Sequence, residues 1–285
     1  RQLGYYARKV PFTVGLLAAS ITVVVMVDSL WIQLLNAAFL GFVFAQLGLV
    51  GHDAGHKQIC SSTRGNHLIS LMIGLLMALV PSWWNDKHTI RHHRSPNKMG
   101  EDGDIDVSIL AFTEVDIANK TGFHKLIVKY QAFMFFPVLL LAALSFFFAG
   151  IYYLVTGGKV RYPIVEPLLV VAHLAAYLGL LFTMLGPLYA VLFIIVHKSV
   201  EGVYMGSVFA PNHKAMPVLE KDTQMGFMRQ QITTSRNVKA HPITDFIYGG
   251  LNCQIEHHLF PNMPRNNLKR AQVIVRAFCQ ERGIP

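Results

Sequence analysis

The chain has 285 residues, 53% of them hydrophobic and only 14% charged, and its mean hydropathy is +0.40. Soluble domains carry about 25% charged residues, so this composition excludes an ordinary soluble protein and points to an integral membrane domain spanning 1–285. The net charge of +9 is not read as a nucleic-acid signature, because much of it flanks apolar runs, where membrane orientation and anionic lipid account for it.

Residues 1–10 hold three lysines and arginines and precede the first apolar run, at about 10–27. A second run covers 30–50, and the short join at Asp28 makes the pair a helical hairpin. Each run approaches the ~20 residues that a bilayer needs. The chain starts at Arg1 rather than Met, which leaves room for missing sequence before it, and no cleavage site between the two runs suggests a signal peptide. At Gly51 a first histidine cluster begins, His52-Asp53-Ala54-Gly55-His56. Leu68 to Val80 is apolar but short, which predicts a helix in the interface or buried against the spans, and Pro81, Trp83 and Trp84 mark an interfacial stop.

A second cluster follows, His88-Thr89-Ile90-Arg91-His92-His93, then an acidic turn with Glu101, Asp102, Asp104 and Asp106. Residues 107–130 are mixed and amphipathic. The third span is expected at 130–155 and the fourth at 163–196, broken by Pro187. Beyond Lys198 the chain is polar, and the third cluster, Gln254-Ile255-Glu256-His257-His258, lies there. Lysine and arginine number nine in 51–130, eleven in 198–285, none near Asp28 and two in 156–163. The positive-inside rule therefore predicts four transmembrane helices with both termini and a helical cap, built from 51–129 and 198–285, on the cytosolic side. Cys60, Cys253 and Cys279 show no CxxC or disulfide pattern, which fits that reducing side.

In a helix His52 and His56 are i and i+4, as are His88 and His92, and Gln254 and His258. His93 and His257 stand one residue away. Imidazole suits iron, zinc, copper and nickel, and seven histidines exceed the four ligands of one tetrahedral zinc, which argues for two metals. A ligating histidine usually donates its other N–H to a carboxylate or carbonyl, and Asp53, Asp86, Glu101, Asp102, Asp104 and Glu256 are available for that. His173 and His197, within or at the end of the fourth span, are read as packed or hydrogen-bonded residues, and His67, His124 and His241 as surface or interface residues. Two other classes compete. His-Asp-Ala-Gly-His is close to the zinc-protease pattern with Asp for Glu, but that leaves five histidines unused. A metal transporter wants its ligands at mid-span, whereas these clusters border the spans.

Order, spacing and placement of these boxes resemble the integral-membrane fatty acid desaturases over almost the whole chain. Gln254 in the third box, with His258-Leu259-Phe260-Pro261 after it, is similar to the front-end subgroup and linoleoyl-CoA-desaturase-like enzymes. No His-Pro-Gly-Gly haem motif of a fused cytochrome b5 domain is present. The resemblance implies two non-haem irons held by His52, His56, His88, His92, His93, His257 and His258, and a further ligand between the fourth span and the third box, best matched by His213. It implies that Gln254 and Asn212 neighbour the metal through hydrogen bonds or water rather than as direct ligands, with Asp53 and Glu256 as further hydrogen-bonding partners. It further implies O2 as co-substrate and electrons from a separate ferredoxin or cytochrome b5 type carrier. The substrate is a fatty acyl chain on CoA or on a membrane lipid, into which a cis double bond is inserted; hydroxylation of an alkyl or sphingolipid chain is the alternative on the same scaffold. The acyl tunnel is expected between spans two and four and the 68–80 helix, with Arg91, Arg94, Trp83 and Trp84 near the head group.

Overall fold

A computed structural model describes residues 3–105 and 109–284, so Asp106 of the acidic turn lies outside the described residues. Their regular structure is helical, with no strand among the described residues, and they divide into two compact units that each draw on two stretches of chain.

The first unit takes residues 1–84 and 139–206. Helices α1 (Leu3–Met26) and α2 (Leu30–Gly55) form the expected hairpin. α1 leaves Phe12, Ile21, Val25 and Met26 exposed, as a lipid-facing helix does, whereas most of α2 is buried around Leu40, Val43, Phe44 and Leu47. Apolar segments gain no hydrophobic drive from packing in lipid, so polar links and close contacts hold them. Ser20 and Asn36 exchange hydrogen bonds of 2.8 and 3.0 Å between these helices. Gln33 Nε2 donates to the carbonyl of Val23, in the last turn of α1, at 2.9 Å and to that of Val27, just beyond its end, at 2.6 Å.

Helix α3 (Thr63–Met77) is longer than the expected 68–80 segment at its start and ends at Ala78 in a left-handed conformation, after which α4 begins at Pro81 (Pro81–Trp84). The pair formed by 63–77 and 81–92 is bent by 115°, and polar groups of the first unit hold the bend. His173 Nδ1 donates to Leu75 O at 2.9 Å, answering a late carbonyl of α3. The Glu166 carboxylate accepts from Ser82 N at 2.9 Å and from Ser82 Oγ at 2.6 Å, answering an early N–H of α4. A break inside a membrane requires such partners, because lipid supplies none.

The expected third span at 130–155 is not one straight helix: α7 (Gln131–Leu139) and α8 (Ala142–Val155) meet at 67°. The interruption lies at Leu140–Leu141; the N–H that Pro137 lacks would have bonded back to residue 133, inside α7, so this proline does not account for the break. Helix α9 (Val165–His213) outlasts the fourth expected span, and its last residues, 207–213, belong to the second unit. Its break sits on Gly186 (φ 72°, ψ 167°), the residue before Pro187. Proline excludes its predecessor from the helical region, and glycine takes the positive φ without a side-chain clash. α2 approaches α9 closely at Gly41, where a Cβ would stand 2.7 Å from His197 O. Three helices, Gly4–Met26, Leu30–Gly55 and Val165–His213, are long and apolar enough to cross a membrane, or up to five if each bent pair is one span.

The second unit takes residues 85–138 and 207–285. It contains a π-helix (Asn85–His92), α5 (Glu114–Asn119), α6 (Gly122–Lys129), α7 up to residue 138, α10 (Phe227–Thr233), α11 (Pro242–Ile247), α12 (Gln254–Leu259) and α13 (Leu268–Glu281). α10 and α13 both pack on α12. The loop after the π-helix is tied to the end of α9: Asn97 Nδ2 donates to His213 O at 3.0 Å, and Leu219 N donates to Asn97 O at 2.8 Å.

Candidate metal centre

Six buried imidazoles of the second unit gather into two adjoining triads. His92, His213 and His258 have ring centroids 4.6, 4.8 and 5.0 Å apart. His88, His93 and His257 form the other, with His93 4.8 Å from His88 and 4.7 Å from His257. His93 and His258 stack at 4.3 Å where the triads meet. Within each triad the candidate ligand nitrogens lie within 4.8 Å of one another. Nitrogens on one ion at about 2.1 Å stand at most about 4.2 Å apart, so each triad needs only small side-chain adjustments to hold an ion.

The backbone explains this sorting. Neighbouring helical residues point about 100° apart, so an adjacent His-His pair cannot serve one ion easily but serves two. His92 and His258 thus enter one triad, and their neighbours His93 and His257 enter the other. The second cluster corrects the α-helical expectation for its region. In an α-helix His93 would stand about 140° from His88. The observed π-helix hydrogen-bonds i to i+5, which brings His93 round to His88.

Every imidazole of the first triad has its Nδ1 engaged. His92 Nδ1 meets Asp102 Oδ2 at 2.9 Å, His258 Nδ1 meets Gln231 Oε1 at 2.8 Å, and His213 Nδ1 meets Thr234 O at 3.1 Å. Each acceptor fixes the tautomer with Nδ1 protonated, which leaves the Nε2 lone pairs of His92 and His258 turned to the centre of the triad, while that of His213 accepts from Gln254 Nε2. Asp102 is itself pinned by the N–H groups of Asn97 (2.8 Å) and Asp104 (3.0 Å). Gln231 Nε2 also donates to His93 O at 3.1 Å, so one amide serves both triads. Burial pulls the His92 pKa down, but the Asp102 charge and hydrogen bond outweigh it, and the pKa stands above the ordinary histidine value. Burial, followed by the His92 charge, lowers His213 to about 3, so that ring is neutral, as a ligand must be.

Gln254 stands against the same site. Its Nε2 lies 2.9 Å from His213 Nε2, while Asn212 Nδ2 donates to Gln254 Oε1 at 3.1 Å and to Leu251 O at 3.1 Å. Asn212 therefore orients the Gln254 amide toward His213 Nε2. Glu256 does not join the imidazoles through any of these bonds; its Oε2 accepts from Asn237 at 2.8 Å, and burial raises its pKa. Arg91 pairs with Asp86 at 2.8 Å, and Arg94 is exposed.

His52 and His56 belong to the first unit, where their rings stand 4.6 Å apart at the end of α2. Asp53 lies 3.3 Å from His52 Nδ1. Trp83 and Trp84 are buried there beside Phe146. His173 and His197 are buried and hydrogen-bonded, in keeping with their sequence reading, and His124 and His241 are exposed. Sequence reasoning missed Gln231, Thr234 and Asn97. Gln231 and Asn97 sit in no motif, and Thr234 acts here through its backbone carbonyl, which leaves no residue-type signal.

The donor set is all imidazole, buried and buttressed, and fits borderline-soft first-row metals such as iron. A family model described as fatty acid desaturase matches residues 29–285. Among curated proteins, the chain is 31% identical over 293 residues to an acyl-lipid (9-3)-desaturase of Physcomitrium patens, covering 98% of this chain and 54% of that protein. It is 30% identical over 292 residues to a delta-6 fatty-acid desaturase of Caenorhabditis elegans, covering 96% and 66%. It is 29% identical over 296 residues to a delta-8 fatty-acid desaturase of Euglena gracilis, covering 99% and 69%. The chain thus spans between about half and two thirds of the length of these curated relatives.

Proposed function

Because the chain belongs to the fatty acid desaturase family, we propose that it is an O2-dependent acyl desaturase that inserts a cis double bond into a fatty acyl chain carried on CoA or on a membrane lipid. The observation that carries this reading is the pair of imidazole triads, with three Nδ1 atoms of one triad each held by its own acceptor. Six such donors exceed a single zinc site, which weighs against a protease.

Two irons would be held by His88, His93, His257, His92, His213 and His258, and the family resemblance assigns His52 and His56 as further ligands. Bound iron and O2 would supply the oxidising power that removing hydrogen from an unactivated methylene requires. The chain's own residues orient and insulate. Asp102, Gln231 and the Thr234 carbonyl fix the ligand tautomers. Gln254 and Asn212 place an amide beside the ligand nitrogen of His213, close enough to position a bound water or oxygen ligand. Burial of the imidazoles keeps bulk water from the reacting carbon.

The membrane arrangement follows from charge. α1, α2, the α7–α8 pair and the apolar part of α9 serve as four spans, and the bent 63–92 segment enters and leaves on one side, which preserves their parity. Lysine and arginine then place both termini and all three boxes on the cytosolic side. An electron carrier of ferredoxin or cytochrome b5 type meets the protein there. The delta-6 and delta-8 relatives support front-end regioselectivity. Arg91, Arg94, Trp83 and Trp84 are assigned to the head-group end of the substrate.

The test is expression in a host lacking polyunsaturated lipids, with a suitable electron carrier, followed by double-bond mapping of extracted lipids. A new double bond nearer the carboxyl end than an existing one supports the reading. A hydroxylated product would move the protein to the hydroxylase class, and unchanged lipids with zinc in the purified protein would overturn it.

A further inference from the structure

Asp53 follows His52 directly, and residues one apart on a helix do not face each other. Their contact, Nδ1 to Oδ1 at 3.3 Å, is accordingly long. The carboxylate is nonetheless deeply buried, at 1% exposure, where a charge needs strong partners. One comes from a residue outside every motif. The Tyr6 hydroxyl, in the second turn of α1, lies 2.8 Å from Asp53 Oδ2 as its donor. Gln58 Oε1 stands 3.1 Å from the same hydroxyl, and Gln58 N donates to Asp53 O at 2.9 Å, closing the turn that ends α2. Tyr6 and Gln58 are themselves buried, at 4% and 1% exposure. Three residues along α1, Lys9 Nζ donates to Gln46 Oε1 at 2.5 Å, and Gln46 Nε2 donates to Tyr204 OH at 2.5 Å. The first turns of α1 therefore grip the histidine-bearing half of α2 at two heights.

We infer that Tyr6 is a positioning residue for the metal centre: its hydroxyl fixes the Asp53 carboxylate against His52 Nδ1 and so sets the tautomer and direction of that ring. This rests on the reading of His52 as an iron ligand. The chemistry is that of the Asp102–His92 pair, with a difference in origin. Asp102 is pinned by backbone N–H groups of its own loop, whereas Asp53 is pinned by a side chain from another helix. Tyr6 thereby gives the first helix a part in metal binding that its apolar sequence does not announce.

The test uses the full chain purified in detergent, stripped of metal and titrated anaerobically with Fe(II) against a chelator. Tyr6→Phe keeps the ring and its packing and removes only the hydroxyl. It is expected to lower iron affinity about tenfold, at the low end of what loss of a ligand's hydrogen-bonding partner costs, with the thermal midpoint of the metal-free protein unchanged. Asp53→Asn is expected to lower affinity at least as much, and Tyr6→Phe in the Asp53→Asn background to add nothing. Wild-type affinity in Tyr6→Phe, an undiminished further loss in the double variant, or a fall in metal-free stability that accounts for the loss would each overturn the inference. Should Tyr6→Phe fail to fold, wild-type affinity in Asp53→Asn overturns it by itself. His52→Ala separates the two levels: retained iron in that variant defeats the ligand reading, whereas lost iron beside a wild-type Tyr6→Phe defeats only the role of Tyr6.

Discussion

Two sets of buried histidines occupy this molecule, and they do different work. Along α9 in the first unit, His173 donates to Leu75 O, and His197 Nδ1 meets Tyr177 OH at 2.6 Å while its Nε2 stands 3.7 Å from Glu201. These rings, 24 residues apart in sequence, both pack against Tyr177 and Phe44, and each is spent on a neighbouring polar group. In the second unit His92, His213 and His258 turn Nδ1 outward to three acceptors, and the opposite edges of the rings converge. The difference teaches that burial does not distinguish a structural histidine from a ligand. What distinguishes them is which nitrogen is already committed, and whether the other nitrogens meet.

The comparison breaks most sharply at a ligand. His258→Ala should remove about one iron per chain and abolish desaturation, read by metal analysis and lipid profiling; full iron content would end the assignment. Asp102→Asn should lower iron affinity roughly 10- to 100-fold with the histidines intact. The same pair predicts a pH dependence. Asp102 holds the His92 pKa above its ordinary value, so an incoming metal must displace a proton there. Iron affinity should fall as pH drops through that raised pKa, and Asp102→Asn should move the fall to lower pH; titration at several pH values reads both. On the structural side, His173→Leu should leave iron stoichiometry unchanged and destabilise the bend at Ala78, because the Leu75 carbonyl loses its donor, at a cost of about 1–3 kcal/mol. Loss of iron in that variant would erase the distinction between the two sets. The smallest effect is expected at Arg94→Ala, a rise of a few-fold in KM with kcat unchanged; an unchanged KM removes Arg94 from the head-group site.

Much of this was legible from residue order. The α1–α2 hairpin followed from two apolar runs and a short polar join, and the clusters identified the histidines that gather. The bends in the apolar helices were less legible. Pro187 announced the break in α9, although the altered torsions fall on Gly186. The break between α7 and α8 hides in an unbroken apolar run, because hydropathy carries no information about helix direction. The π-helix was invisible for a similar reason: its residues suit an α-helix equally, and the fold selects the wider turn. Gln231 could not be found because a glutamine facing an imidazole looks like any polar helical residue until α10 is packed on α12.

The sharing of each His-His pair between the triads has a mechanical consequence. The gap between the two ion positions is bridged at His92–His93 and again at His257–His258 by a single peptide unit, whose length is set by covalent bonds. Breathing of the surrounding helices can tilt or translate the pair of positions, but it cannot easily draw them apart. A one-residue insertion within either pair would do so at once, whereas changes of length elsewhere in the second unit are absorbed by loops. Two ions held in these triads would in effect be mounted on a common ruler whose divisions are the backbone itself.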